Sequence, residues 1–276
     1  MTGTAADSGV TELDVRVNAN GVMHITLNRP EAKNALTIAM RDGIIDAIRA
    51  ARNDPSVRAV LLRGEGTAFC SGMDLSASTV MQAGRDDFRT RMTSEALRSG
   101  VQTFIRELWE LDKPTIAAVH GAAVGPGAHL ALACDFVFVQ PTTRFMWTFP
   151  KWGLVVDAGG AYLLPRLVGL PKAKALVMLG ESIEGADAVA FGLAYQCSES
   201  ASAVAVDADA LATRLAAGPT RSLGLSKRLL NNSFESSLNE SLELEGHFQA
   251  LATTSPDLLE GMAAFKAKRT AAFNGD

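Results

Sequence analysis

Apolar positions recur first at a spacing of two residues and later at three and four. Leu13, Val15 and Val17 alternate with polar neighbours, NANG (18–21) supplies a turn, and 22–27 continues an extended run. This pattern predicts a β-hairpin. Pro30 breaks it within LNRPEAKNAL (27–36), and Ile38, Ile44, Ile45, Ile48 and Ala51 then predict a helix over about 37–52. AVLLRG (59–64) reads as a buried strand entering a glycine-rich loop over 64–76, with Asp74 as a candidate cap for the next helix. Residues 85–112 predict one long amphipathic helix with Phe88, Met92, Leu97, Val101, Phe104, Ile105 and Leu108 inward. An apolar strand over 115–119 then passes through a glycine-rich turn into an apolar helix over 129–134.

Strand-like runs at 135–140 and 144–149 precede a glycine-punctuated loop, 151–169, that leads into a helix. Helical patterns dominate from 171, and four helices are expected from about 201 to the end. Strand-then-helix units followed by helices alone predict an α/β protein with an all-helical tail. The expected division is a leader over 1–11, a core over 12–200 and a helical assembly region over 201–276.

With 276 residues, 47% of them hydrophobic, the chain is long enough to bury a substantial core. A net charge of -4 with no basic stripe argues against nucleic acid as the main partner and points to small molecules. Cys70, Cys134 and Cys197 are odd in number, widely spaced and set among apolar residues. They fit reduced packing thiols and a cytoplasmic location, and no metal-ligand spacing accompanies them. The leader has neither a basic start nor an apolar run, so it is not expected to be a signal peptide. Histidines, Asp135, Pro126 and glycines interrupt 115–139, which excludes a plain membrane span.

The chemistry gathers on VHGAAVGPGAHLALACDF (119–136). Gly121, Gly125 and Gly127 allow close approach to the main chain, and Pro126 suits the first turn of a helix. Two readings stay open: close packing of strand on helix, or main-chain N–H groups offered to an anion or a polarised carbonyl. A dinucleotide fingerprint is a weak match, because no third glycine follows Gly125 and Gly127. Arg29 and Lys33 flank the Pro30 break, either as a solvated loop or as phosphate contacts.

Taken in order, LNRPEAKNAL, AFCSGMDL, VHGAAVGPGAHLALACDF, GLVVDAGGAYLLPRLVG and EGMAAFKAKR resemble the crotonase family, the enoyl-CoA hydratase and isomerase superfamily. The resemblance covers nearly the whole chain. It implies a spiral core of repeated ββα units, a C-terminal helical region that forms homotrimers or dimers of trimers, and acyl-CoA thioester substrates. Coenzyme A is part of the substrate, and no separate cofactor or metal is implied. The shared chemical step is stabilisation of a thioester enolate by two main-chain N–H groups.

By that resemblance the first donor is Met73, and the second falls on Pro126, which has no N–H. A shifted turn would bring Gly127 into its place. The two glutamate positions of the hydratases correspond to His129 and Phe149, which disfavours simple hydration. His129 is read as an assisting base or donor, or as a satisfied polar residue on an apolar helix face. FPKWGLVVDAGG is similar to the ring-1,2-epoxyphenylacetyl-CoA isomerase branch of the family, and Asp157 matches the proton-shuttling aspartate of dienoyl-CoA isomerases. Val155, Val156, Trp147 and Trp152 are expected to raise its pKa, with a helix N-cap as the competing reading. Arg29, Lys33, Phe69, Cys70 and Ser71 are expected at the nucleotide end. Phe265 and Lys268 would complete it from the last helix of the same or a neighbouring subunit. An isomerase is expected first. A hydratase with an unconventional base and a non-catalytic acyl-CoA binder are the alternatives, and 76–100 is expected to hold the pocket walls.

Overall fold

The computed structural model describes residues 12–74 and 87–276. Its main sheet runs β1 (Leu13–Val17), β2 (Val22–Leu27), β3 (Ala59–Gly64), β4 (Thr115–Val119), β6 (Phe136–Val139) and β9 (Gln196–Cys197), side by side in that order. The hairpin pairs antiparallel with Leu13 opposite Leu27, and the remaining neighbours are parallel. Parallel strands buried on both faces need apolar residues at successive positions, as β3 and β4 have. Val60, Leu62, Ala117 and Val119 face the larger core, while Leu61, Ile116 and Ala118 face a second one.

A smaller sheet holds β5 (Ala122–Val124), β7 (Arg144–Met146) and β8 (Ser182–Glu184). The chain therefore lays a strand in the large sheet, then one in the small sheet, then a helix: β4, β5 and α4 (Pro126–Leu132), followed by β6, β7 and α5 (Gly160–Val168). This is the repeated ββα winding that the resemblance implied. The expected glycine turn between β4 and α4 thus contains a strand of its own. Two further short strands, β8 and β9, interrupt the stretch read as helical after 171.

α1 (Ile38–Asn53) is capped by the Thr37 side chain, which accepts from the Met40 N–H, and buries Met40, Ile44, Ile45, Ile48 and Ala51. Ile38, expected inside, is exposed. The single helix expected over 85–112 is two, α2 (Asp87–Ser99) and α3 (Val101–Trp109), broken at Gly100. A Cβ at Gly100 would stand 2.5 Å from the Arg41 guanidinium and 2.6 Å from the Ala96 carbonyl, so this crossing excludes any other residue. Met92 is exposed rather than inward, and the Phe88 side chain and 75–86 lie outside the described residues.

Beyond α5 come α6 (Leu170–Met178), α7 (Gly185–Ala188) and the tail helices α8 (Ala201–Ala216), α9 (Thr220–Asn232), α10 (Leu238–Ala252) and α11 (Pro256–Ala267). In α8, Val204, Ala208, Leu211 and Ala212 cover the second face of the main sheet. α9 is anchored through Lys227, whose ammonium reaches Asp135 Oδ2 at 3.0 Å and the Leu108 carbonyl at 3.1 Å. No helix among the described residues is long and apolar enough to cross a membrane.

Candidate active site

The first wall is the loop over 29–36. Asn34, fully buried, donates from its amide to the carbonyls of Glu65 (2.9 Å) and Ala68 (2.8 Å) and accepts from the Arg29 N–H (2.8 Å). This one side chain ties two loops together. Arg29 reaches Asp74 at 2.6 Å, Glu12 at 3.1 Å and the Ala35 carbonyl at 3.0 Å. Its guanidinium pairs with internal carboxylates, and Asp74 holds this clamp. Lys33 is exposed, and its carbonyl accepts from the Ser71 N–H at 3.0 Å. The loop and 69–71 are therefore neighbours, as expected.

The second wall runs through Phe69 and Cys70, both buried, whose N–H groups donate to the carbonyls of His120 (2.8 Å) and Ala122 (3.1 Å). Burial pushes the Cys70 thiol up to about 12, so it packs as a neutral group. The Gly127 main chain lies against it: an added Cβ would come within 2.6 Å of Cys70 Sγ. At Gly72 (φ +97°) the same construction meets the Val124 carbonyl at 3.1 Å and Pro126 Cδ at 3.8 Å. Met73, the next residue, is thus placed beside the start of α4. Pro126 occupies the first turn of α4, where Gly127 and Ala128 have no preceding carbonyl of their own helix to reach.

The third wall joins α4 to 147–160. His129 is fully buried; its Nε2 accepts from Trp147 Nε1 at 2.9 Å, and its ring stacks on Phe149 at 6.1 Å and 10°. Burial lowers its pKa to about 3, so the ring is neutral, and a base of that strength takes no proton from a carbon acid near neutral pH. Asp157 follows on the same side. Burial pushes its carboxyl up to about 6, and its Oδ1 is buried with no hydrogen-bond partner among the described residues.

Asp157 does not cap α5. The helix begins at Gly160 and its N-cap is Gly159, with no side-chain capping bond. Of the residues expected around Asp157, Val156 is in place at its cavity and the others are not. Trp152 and Val155 are 55% and 83% exposed, and Trp147 is hydrogen-bonded to His129. Asp157 lines a cavity of about 580 Å³ with Val156, Ile105 and Trp109 of α3, and Tyr162 of α5. Trp109 and Tyr162 meet edge to face at 5.8 Å and 89°.

A family model described as enoyl-CoA hydratase/isomerase matches residues 17–276. The chain belongs to the enoyl-CoA hydratase/isomerase family. Relatives in that family include the 1,2-epoxyphenylacetyl-CoA isomerase of Escherichia coli (strain K12), 37% identical over 92% of this chain and 95% of its own. The trans-2-decenoyl-[acyl-carrier-protein] isomerase of Streptococcus mutans serotype c is 31% identical over 93% and 95%. A crystal structure from Streptomyces coelicolor A3(2), provisionally named an enoyl-CoA hydratase, superposes with a TM-score of 0.90 at 37% identity, covering 100% of this chain and 98% of that one.

Within the enoyl-CoA hydratase/isomerase family pattern, the structure brings together Met73, Pro126, Gly127, His129, Phe149 and Asp157. Gly125 faces Phe149 at 3.5 Å from an added Cβ, Phe149 stacks on His129, and the His129 ring abuts Gly160 beside Asp157. Phe265 is 88% exposed and lines a groove of about 830 Å³ among α9, α10 and α11 that none of the 29–33 or 69–71 residues lines. Lys268, exposed, ends α11 in a left-handed conformation (φ 52°). Sequence reasoning missed Asn34, Trp109 and Tyr162. The four-residue spacing of Ile105 and Trp109 on an inward helix face was the readable signal for that wall.

Proposed function

We propose that this chain is an acyl-CoA thioester isomerase in which the Asp157 carboxylate carries the proton. The carboxylate takes a proton from a carbon activated by the thioester, charge collects on the thioester oxygen, and the same carboxyl returns the proton at another carbon. The bond order shifts and the mass does not change. The N–H groups of Met73 and Gly127 are assigned to the developing oxyanion, Gly127 replacing the donor that Pro126 lacks. The cavity lined by Ile105, Trp109, Val156 and Tyr162 is assigned to the acyl group. Lys33 and the 69–71 main chain are assigned to the nucleotide end, and the exposed apolar side chains of α10 and α11 to self-assembly, which would carry Phe265 and Lys268 to a neighbour's site.

One observation carries the reading: Asp157 lines a cavity, its Oδ1 is buried with no hydrogen-bond partner among the described residues, and its pKa is drawn to about 6, close to the range where a carboxyl both takes and gives a proton. The relatives include isomerases beside proteins named as hydratases. Hydration is the weaker reading, because Phe149 and a neutral His129 do not supply a carboxylate pair.

Deuterium uptake from D2O across a panel of linear and ring-type acyl-CoA thioesters, read by mass spectrometry beside Asp157→Asn, tests the proposal. Uptake or double-bond migration lost in the variant is expected. A gain of one water would make the chain a hydratase. Binding without exchange or conversion would make it an acyl-CoA binder.

A further inference from the structure

The Trp147 indole is fully buried, and a buried N–H without an acceptor costs roughly 1–3 kcal/mol. Its acceptor is His129 Nε2 at 2.9 Å. A neutral imidazole carries one N–H and one bare nitrogen, so an accepting Nε2 places the proton on Nδ1. The indole therefore sets the tautomer. Ring orientation is set as well, by the stack on Phe149 and by Gly160, where an added Cβ would come within 2.3 Å of both Cε1 and Nε2.

The other side of this ring is the Asp157 segment. The Gly160 N–H donates to the Asp157 carbonyl at 2.9 Å, and the Asp157 main chain sits close enough to the ring to oppose the effect of burial on it. His129 Nδ1, the donor fixed by Trp147, is buried and makes no full hydrogen bond among the described residues, and the Asp157 main chain is the polar group that acts on it. Asp157 is followed by Ala158 at φ +45° and Gly159 at φ +76°. A left-handed alanine persists where its surroundings hold it, and such residues gather at working sites.

We propose that Trp147 and His129 are a positioning pair: the indole locks the imidazole with its proton on Nδ1, and the locked ring holds the 157–160 main chain so that the Asp157 carboxylate faces the acyl cavity. His129 then acts through Asp157 and takes no proton itself. The inference rests on the reading of Asp157 as the proton carrier.

The test compares Trp147→Phe, His129→Leu and His129→Gln with wild type and Asp157→Asn, reading kcat, KM, the pH profile of exchange and thermal stability. Trp147→Phe removes the indole N–H and keeps the ring, and His129→Gln keeps a side-chain N–H. Misplacing a reacting group by about 1 Å costs on the order of a hundredfold. Trp147→Phe and His129→Leu are expected to lose about ten- to a hundredfold in kcat with KM within about threefold, and to displace the acid limb near pH 6. His129→Gln is expected to recover most of the loss. Lowered melting temperature with wild-type kcat per folded site and an unmoved pH profile would reduce the pair to packing and overturn the proposal. Trp147→Phe trims a fully buried side chain and leaves a small cavity, so its kcat is read per folded site, and that reading decides the matter even if His129→Leu does not fold. Wild-type exchange in Asp157→Asn would overturn the proton-carrier reading itself, and the positioning role with it.

Discussion

His129 lies within α4 and Asp135 just beyond its end, and the polar clusters they join have opposite characters. Asp135 Oδ2 accepts from the Thr115 N–H at 2.7 Å, the Thr115 hydroxyl at 2.9 Å and the Lys227 ammonium at 3.0 Å. Lys227 in turn donates to the Leu108 carbonyl at 3.1 Å and lies 3.4 Å from that of Lys113. Asp135 Oδ2 and the Lys227 ammonium are each bonded several times over. Around His129 and Asp157, His129 Nδ1 and Asp157 Oδ1 make no full hydrogen bond among the described residues, and Ala158 is held left-handed. The contrast separates two uses of polar side chains. A multiply bonded pair welds α9 to the sheet, whereas an open one retains capacity for a reacting molecule at a cost in stability.

The strongest break of this comparison is Asp157→Asn. An amide cannot carry the proton, and a positioned acid or base contributes about 10²–10⁴-fold, so exchange should fall by that factor while acyl-CoA binding persists. Isothermal titration beside the exchange assay checks both halves. Lys227→Met is the opposite case. It takes the cation from the exposed Asp135 and leaves the Leu108 carbonyl without its donor, which costs about 1–3 kcal/mol, yet Lys227 does not line the cavity beside Asp157. Urea unfolding should show the loss with kcat per folded site unchanged, and Asp135→Asn added to Lys227→Met should recover part of it.

The two clusters also differ in how far the sequence revealed them. Asp157 was legible because its position within GLVVDAGG matches a family motif, but its walls were not. Local neighbours Trp152 and Val155 point to solvent, and the desolvating surface comes from α3, distant in the chain. Arg29 looked like a free cation because its partners Glu12 and Asp74 lie far from it in sequence. The Lys227–Asp135 pair was invisible for the same reason. In the fold, strands with five or six residues and their helices were readable from periodicity. β6 and β7, with four and three residues, were readable because they sit in longer apolar runs, whereas β5, β8 and β9 have three, three and two residues and no such run around them. At Gly100 the close contact that cannot give way is the Ala96 main-chain carbonyl, and one glycine does not by itself interrupt a helical pattern.

The open cluster should also leave a mark on stability. Burial raises the Asp157 pKa from 3.8 to about 6, so the folded protein holds that proton more tightly than the unfolded chain. The stability linked to this group is full below about pH 4 and is lost as pH rises through about 6. Asp157→Asn removes the loss. The variant should therefore unfold later than wild type at pH 8, by up to about 3 kcal/mol, and the difference should close below about pH 4. Paired urea melts at the two pH values check it. A variant less stable than wild type at pH 8 would mean that the ionised carboxylate has a partner in the fold.

The smallest effect concerns Pro126. Proline at the first helical turn forfeits an N–H that has no partner within its own helix and restricts the unfolded chain, so Pro126→Ala should cost about 0.4–1 kcal/mol. It also restores an N–H at the position where the family pattern places the second oxyanion donor. If Gly127 already serves the thioester oxygen, kcat should stay within about twofold. A missing donor of this type is worth about 10²–10³-fold, so a rise of that order would show that the hole was short of one N–H and that Gly127 had not replaced it. The same deuterium-exchange assay reads both outcomes, and the thermal melt confirms that the turn itself has survived the substitution.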